Sequence, residues 1–306
     1  MSDSPEDDLL SSVLSAYQMH AGVYGNPSFC GAWQFGMSGH KRASFHLVGE
    51  GHCWLHTRLS PTAEPLQGGD LIVFPHDAWH LLSGEQKLRD EEIHMQTEGP
   101  GDFTTLVCGY FEFMAGGQNP ILDALPEVIV VRHQDAGLHL GTLGRLLLEE
   151  ADLKDLGTRT VLDKLADTLF VMVVRYYVNK VGDQRGLLAA LADPRLRKAL
   201  SAMHRDSATH WTLDGLAQEA GMSRASFAQR FAEVVGTTPI EYLTRWRMTQ
   251  AELLLRNPQA SVATVAEEVG YESEAAFRKA FKRIHGVGPG SIRRWFRTRF
   301  GSDDTP

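Results

Sequence analysis

Two stretches fifty residues apart carry side chains suited to reading a polyanion. In MSRASFAQRFAEVVGTTP, Met222 to Pro239, Gln229 stands where Lys279 stands in YESEAAFRKAFKRIHGVGP, Tyr271 to Pro289. A glutamine amide can bond an adenine edge in bidentate fashion, a lysine can reach guanine acceptors, and an arginine serves either a base or a phosphate. Around Gln229 lie Arg224, Ala225 and Arg230, and around Lys279 lie Ala275, Arg278 and Lys282. These eight residues are the candidate nucleic-acid contacts.

The elements that would present them follow from the punctuation of each copy. A serine, Ser223 or Ser273, precedes a polar run holding two phenylalanines four apart, Phe227 with Phe231 and Phe277 with Phe281. A glycine then follows, Gly236 or Gly286, and three residues later a proline, Pro239 or Pro289. Serine is a good N-cap, glycine a good helix stop, and residues at i and i+4 share one helix face. Each copy therefore reads as a capped helix whose phenylalanines are buried, with Ala225, Gln229 and Ala232, or Ala275, Lys279 and Lys282, on the opposite side.

Upstream of each copy, WTLDGLAQEAG (Trp211 to Gly221) and SVATVAEEVG (Ser261 to Gly270) predict a shorter helix with an inward alanine, Ala217 or Ala266. Helix, glycine-containing turn and second helix form a helix-turn-helix pattern, in which the second helix can enter a major groove. Between the two units, IEYLTRWRMTQAELLLRN, Ile240 to Asn257, predicts one amphipathic helix long enough to set the units about one DNA turn, ~34 Å, apart. Either unit alone could be a solvated helix face; two at one period argue for a partner.

Charge supports that reading. The chain has 306 residues, enough for two cores, and a formal charge of −8. Residues 1–192 hold 13 Lys and Arg against 25 Asp and Glu, a net of −12, whereas residues 193–306 hold 17 against 13, a net of +4. An acidic portion is thus joined to one able to approach phosphate. The acidic start MSDSPEDDLL lacks the features of a signal peptide, and the apolar run LFVMVV is far too short for a membrane span, so a cytoplasmic chain is expected. Three cysteines without a CxxC pair, Cys30, Cys53 and Cys108, argue against a disulfide framework.

The segment from about Pro194 to Arg299 resembles the DNA-binding domain of the AraC/XylS family of bacterial transcription regulators. SRASFAQRFAEVVGTTPIEYLTRWRM is similar to the first unit of that domain, and VATVAEEVGYESEAAFRKAFKRIHGVGPGSIRR to the second, with Gly288-Pro289-Gly290 a departure from the family pattern. The resemblance implies an all-α domain of two helix-turn-helix units joined by a long helix, with double-stranded operator DNA and RNA polymerase as partners.

The N-terminal half reads differently. SFHLVGEGHCWLHT, GGDLIVFPHDAWHLLS and DFTTLVCGYFEF are strand-like runs between glycine turns, the pattern of a small antiparallel barrel or sandwich. Gly69, Pro75 and His80 resemble the second motif of the cupin family, and FHLV followed by a glycine turn resembles sensors found with such a DNA-binding domain. The fold class expected is therefore α+β: a cupin-like barrel with accessory helices over residues 1–136, a helical segment over 137–180, a linker over 181–193 and the DNA-binding domain over 194–300.

Cupins usually hold a metal, and the resemblance places first-motif ligand positions near Ser38, His40 and Ser44. Only one of these can ligate. His80 matches the second-motif ligand, and His46, two residues past Ser44, should face the same side of its strand. His46 and His80 with His40, Cys30 or Cys108 could form a zinc-type site; alternatively these histidines bond within a barrel or line an organic-ligand pocket. The paired helices after the barrel are expected, from the resemblance, to form a homodimer contact.

Three functional readings result, the third being a constitutive architectural protein, for which a large acidic sensor-like domain would be superfluous. The first is a transcription regulator, not an enzyme, whose barrel senses a small molecule, a metal or a redox signal. The second is a metal-dependent cupin enzyme carrying a DNA-binding tail, against which the incomplete first motif counts. Cys30, before the strands in a polar segment, is the thiol expected to be exposed, with Cys53 and Cys108 expected inside.

Overall fold

The computed structural model describes residues 8–36, 38–88, 103–113, 119–180, 186–257 and 259–300, the last six of these as backbone. Residues 181–185 of the expected linker lie outside the described residues. Contacts divide the chain into two units: Met19–Glu112 with Leu125–Gly182, and Met1–Gln18 with Phe113–Ala124 and Asp183–Pro306. Helix α1 (Leu9–Tyr17) opens the described chain and belongs to the second of these.

The first unit is built from strands β1 (Met19–Gly25), β2 (Ser28–Cys30), β3 (Gln34–Phe35), β4 (Ala43–Val48), β5 (His52–Thr57), β6 (Ser60–Gln67), β7 (Leu71–Phe74), β8 (His80–Ser83), β9 (Phe103–Phe113) and β10 (Ile129–Val131). One sheet runs β1-β9-β4-β7-β10, with β2 also on β9, and a second runs β3-β8-β5-β6. The core between them holds Phe29, Trp33, Val48, Leu55, Ile72 and Leu82 among others. All six positions of β4 are buried, the polar Ser44 and His46 included. Strand alternation sends Ser44, His46 and Val48 to the barrel interior and Ala43, Phe45 and Leu47 to the other face.

That other face is covered by α2 (Gly137–Asp152) and α3 (Thr158–Lys180). Phe45 stacks on Phe111 at 5.0 Å between centroids, and Phe111 meets Phe170 of α3 at 4.9 Å. The edge strand β1 is blunted by the same helix: the Ala21 and Val23 amides donate to Asp167 and Asp163 at 2.7 and 3.3 Å. No helix among the described residues is long and apolar enough to cross a membrane.

The second unit is helical. Helices α4 (Leu187–Ala192) and α5 (Pro194–Arg205) lead into α6 (Leu213–Glu219) and α7 (Arg224–Val235), then α8 (Pro239–Leu254), α9 (Val262–Glu268), α10 (Glu274–His285) and α11 (Pro289–Phe300). Helix α1 packs here on α5 and α8, with Tyr17 Oη 3.3 Å from Thr249 Oγ1.

The connector α8 begins one residue before the expected start, capped by Thr238, and ends at Leu254 rather than Asn257. Asn257 precedes a proline, a position at which helical backbone is disfavoured. Sixteen residues still give a rod of about 24 Å.

Candidate functional site

The two helix-turn-helix units are α6–α7 and α9–α10. Ser223 accepts from the Ser226 amide and Ser273 from the Ala276 amide, each at 3.3 Å, so both N-caps are made by the expected serines. Gly236 and Gly286 close the helices at φ of 80° and 75°, a left-handed conformation that favours glycine. Phe227, Phe231, Phe277 and Phe281 are fully buried, and Ala217 and Ala266 lie in the helix contacts. Burying each phenylalanine contributes about 2–3 kcal/mol, enough to fix the rotation of α7 and α10 about their own axes.

That rotation exposes all eight candidate contacts: Arg224, Ala225, Gln229 and Arg230 on α7, and Ala275, Arg278, Lys279 and Lys282 on α10. Their surroundings differ between the helices. On α7 the polar groups face carboxylates: Arg224 is 3.5 Å from Asp214, Arg230 is 3.3 Å from Asp193, and Gln229 donates to Glu233 at 2.9 Å. On α10 Arg278 pairs with Glu274 at 2.6 Å, whereas Lys279 and Lys282 have no acidic partner among the described residues.

Two arginines that sequence reasoning passed over hold the units in place. Arg247 of α8 donates to the carbonyls of Ser207 and Thr209 at 2.7 and 2.8 Å and sits over the Tyr271 ring. Arg283 of α10 donates to both oxygens of Glu241 on α8. Neither partner is encoded nearby in the chain, and an arginine whose donors are taken by a carbonyl or a carboxylate is patterned like any surface arginine.

In the barrel, register sets His46 of β4 opposite Cys108 of β9. His46 Nδ1 lies 3.1 Å from Cys108 Sγ, and His46 Nε2 lies 2.9 Å from His80 Nε2. His80 Nδ1 is 2.8 Å from the Ala78 carbonyl. A carbonyl only accepts, so His80 Nδ1 donates and its neutral ring accepts at Nε2. His46 must then donate from Nε2, leaving Nδ1 to accept from the Cys108 thiol. Proton positions are thus ordered along the whole chain.

Burial is the largest influence on each of the three groups and favours the neutral form, outweighing the Ala78 carbonyl and Asp77, which favour a charged His80. Burial, and then the neighbouring His80, pushes His46 down to about 3, and burial lowers His80 as well. Burial first and Cys53 second push the Cys108 thiol up, and Cys53 itself is pushed up to about 12, chiefly by burial. Phe74 stacks on His80 at 3.6 Å and meets His46 edge-on.

His46, His80 and Cys108 therefore come together, but in series. His46 spends opposite ring nitrogens on its two neighbours, so the three donors do not converge on a point as a tetrahedral metal requires. Among the described residues no group of three or more His, Cys, Asp or Glu is arranged to hold a metal ion. His40 is exposed and is not among the hydrogen-bond partners of His46, His80 and Cys108, and Cys30 is elsewhere on β2. Ser44 Oγ, on the same interior face, is buried without a hydrogen-bond partner.

The expectation that Cys30 is exposed is corrected by the structure, which buries all three thiols. The polar stretch around Cys30 forms β2, and its pairing with β9 turns the thiol inward.

Comparison with known proteins places these features in context. The family described as Cupin matches residues 8–179, and that described as Helix-turn-helix domain matches residues 216–295. An uncharacterized HTH-type transcriptional regulator of Haemophilus influenzae is 31% identical over 301 residues, covering 94% of this chain and 98% of its own. An AraC-like transcription regulator of Streptomyces antibioticus is 36% identical over 252 residues, covering 81% and 79%. The RCS-specific HTH-type transcriptional activator RclR of Escherichia coli K12 is 31% identical over 238 residues, covering 76% and 78%.

Proposed function

The chain belongs to the AraC-like family of DNA-binding transcription regulators with an N-terminal cupin domain, and from that premise we propose that α7 and α10 read two segments of one operator. Gln229 and Lys279 contact bases, with Arg224, Arg230, Arg278 and Lys282 dividing between bases and phosphates, and Ala225 and Ala275 at the closest approach. The observation that carries this reading is the pair of equally capped helices, each with its phenylalanines buried and its candidate contacts outward, in the basic portion of the chain.

The cupin unit receives the signal, and the regulator works as a cytoplasmic homodimer that activates by engaging RNA polymerase. Exposed Leu138, Leu146, Leu153 and Leu156, on and after α2, support the dimer contact, and the relative named as an activator supports the direction of control. We read the barrel as a sensor and not as an enzyme. Its histidines and Cys108 bond to each other in series, which speaks for an organic or redox signal over zinc held by His46 and His80.

The test is to capture genomic fragments on the full-length chain and footprint the bound sequences at increasing salt. Protection of two neighbouring major-groove segments, with affinity falling steeply as salt rises, is expected. Sequence-independent protection would overturn the reading.

A further inference from the structure

The face of the larger sheet beneath α2 contains a cavity of about 190 Å³. Its walls are Leu47, Leu71 and Val131 from the sheet, Leu140 and Leu148 from α2, and Leu169 from α3. An apolar cavity of about 150 Å³ accommodates benzene, so this one has room for a single ring or a short branched chain. Leu47 points away from His46 on β4, so the cavity lies on the opposite side of the sheet from the barrel interior.

Two glycines of α2 open this space. Gly141 and Gly144 sit in the interior of a helix, where glycine is the poorest residue after proline, and neither has positive φ. Close packing does not require them either. A Cβ at Gly144 would meet the Leu47 methyl groups at 3.8 Å, an ordinary contact, and one at Gly141 would meet the Ala136 Cβ at 4.0 Å and nothing nearer. The other wall glycines differ: a Cβ at Gly49 would strike Thr105 at 2.3 Å and one at Gly69 would strike the His133 ring at 2.4 Å. Alanine at 141 or 144 would strengthen the helix and narrow the cavity, so what glycine supplies there is the room.

The titratable residues in the lining are His133 and Arg145, both exposed at the rim. Arg145 donates to Thr142 Oγ1 at 3.3 Å and has no carboxylate partner among the described residues. It stands so in the acidic portion of the chain, where residues 1–192 carry a net charge of −12. A guanidinium beside an apolar cavity matches a ligand with one apolar end and one carboxylate, which arginine grips with two parallel hydrogen bonds.

We propose that this cavity is a binding site for a compact apolar carboxylic acid, its ring or chain against the leucines and its carboxylate on Arg145. The site deepens the sensor reading by naming a ligand class, and its test is separable from that reading because it scores binding directly.

The experiment titrates the full-length chain with benzoate, hexanoate and toluene, followed by NMR shifts and thermal unfolding, for wild type, Arg145→Met, Gly144→Ala and Gly141→Leu. Saturable binding of at least one acid is expected. Arg145→Met should weaken acid binding about tenfold or more and leave toluene unchanged. Both glycine variants should weaken every probe, while Gly144→Ala raises the unfolding midpoint by about 2–4 °C because the helix gains. No saturable binding of either acid, or acid binding indifferent to all three variants, overturns the proposal. Operator binding is measured on the same samples: variants that lose the acid yet keep the operator confine the result to this site, and loss of operator binding in wild type is a failure of the regulator reading instead.

Discussion

Arg283 on α10 grips Glu241 at the start of α8 with both hands: Nη1 donates to Oε1 at 2.8 Å and Nη2 to Oε2 at 3.0 Å. The second recognition helix is thereby oriented on the connector that carries the first unit. With about half of the Arg283 side chain in solvent, the pair adds only about 0.5–1 kcal/mol of stability. Arg283, and after it Arg245, holds the Glu241 carboxyl below the ordinary range despite partial burial. An acid held low stabilises the fold above its ordinary value, about 4.3, and that contribution is lost as pH falls through the folded value. Urea midpoints of wild type and Glu241→Gln should therefore differ near neutrality and converge as pH drops well below about 4. A gap that widens in acid would show that the pair does not act as described.

The outward positions of Gln229 and Lys279 make a prediction about specificity. Gln229→Ala and Lys279→Ala should each remove about 1–3 kcal/mol of discrimination, at two base positions about half a footprint apart. Binding of each variant to a library of single-base operator mutants measures this. If both substitutions relaxed the same position, or weakened all sequences alike, the assigned contacts would be wrong.

Acid should act on the barrel through His46. Its folded value of about 3 lies below the ordinary 6.5, so between the two the unfolded chain binds the extra proton. Stability of the barrel unit should then fall as pH drops from about 6.5, by up to about 1.4 kcal/mol per pH unit. His46→Gln, which cannot titrate, should flatten this slope, as read from urea unfolding between about pH 7 and 5. An unchanged slope would place the acid sensitivity elsewhere.

The three thiols should resist reagents in the native chain. Cys30, Cys53 and Cys108 are all buried, and burial disfavours the thiolate of Cys53 and Cys108. A thiol-reactive chromophore should label none of them at a rate exceeding that of unfolding, and all three in urea. Operator affinities of wild type, Cys30→Ser and His80→Ala, with and without oxidant and chelator, complete the test. Agreement across the set leaves an organic effector as the signal, whereas rapid labelling of Cys30 would reopen the redox reading.

Much of the helical unit was legible because its signals are local. Ser223 and Gly236, or Ser273 and Gly286, act within one or two turns of the backbone they cap, and a phenylalanine pair four residues apart defines a buried face by helix period alone. The interior placement of His46 follows by strand alternation from Ser44, which the resemblance to a cupin motif set at a ligand position. These features depend on neighbours in the chain, so the amino-acid sequence by itself determined them, together with the two-unit plan and the charge contrast between its halves.

What only the tertiary structure decided involves partners far apart in the chain. Cys108 meets His46 across 62 residues because β4 pairs with β9 in one register, and a slip of one residue in either strand would have turned that strand's side chain to the other face. That register, and the 2.9 Å approach of His80, set the three groups in series, the arrangement of histidines that bond within a barrel. Cys30 sits in a polar stretch, yet pairing of β2 with β9 buries it. Arg283 finds Glu241 across 42 residues, and Tyr17 finds Thr249 across 232. In each case the decisive energy comes from surfaces that meet only after the chain has collapsed, and hydrophobic burial is non-directional, so no local pattern of residues could specify which surfaces those would be.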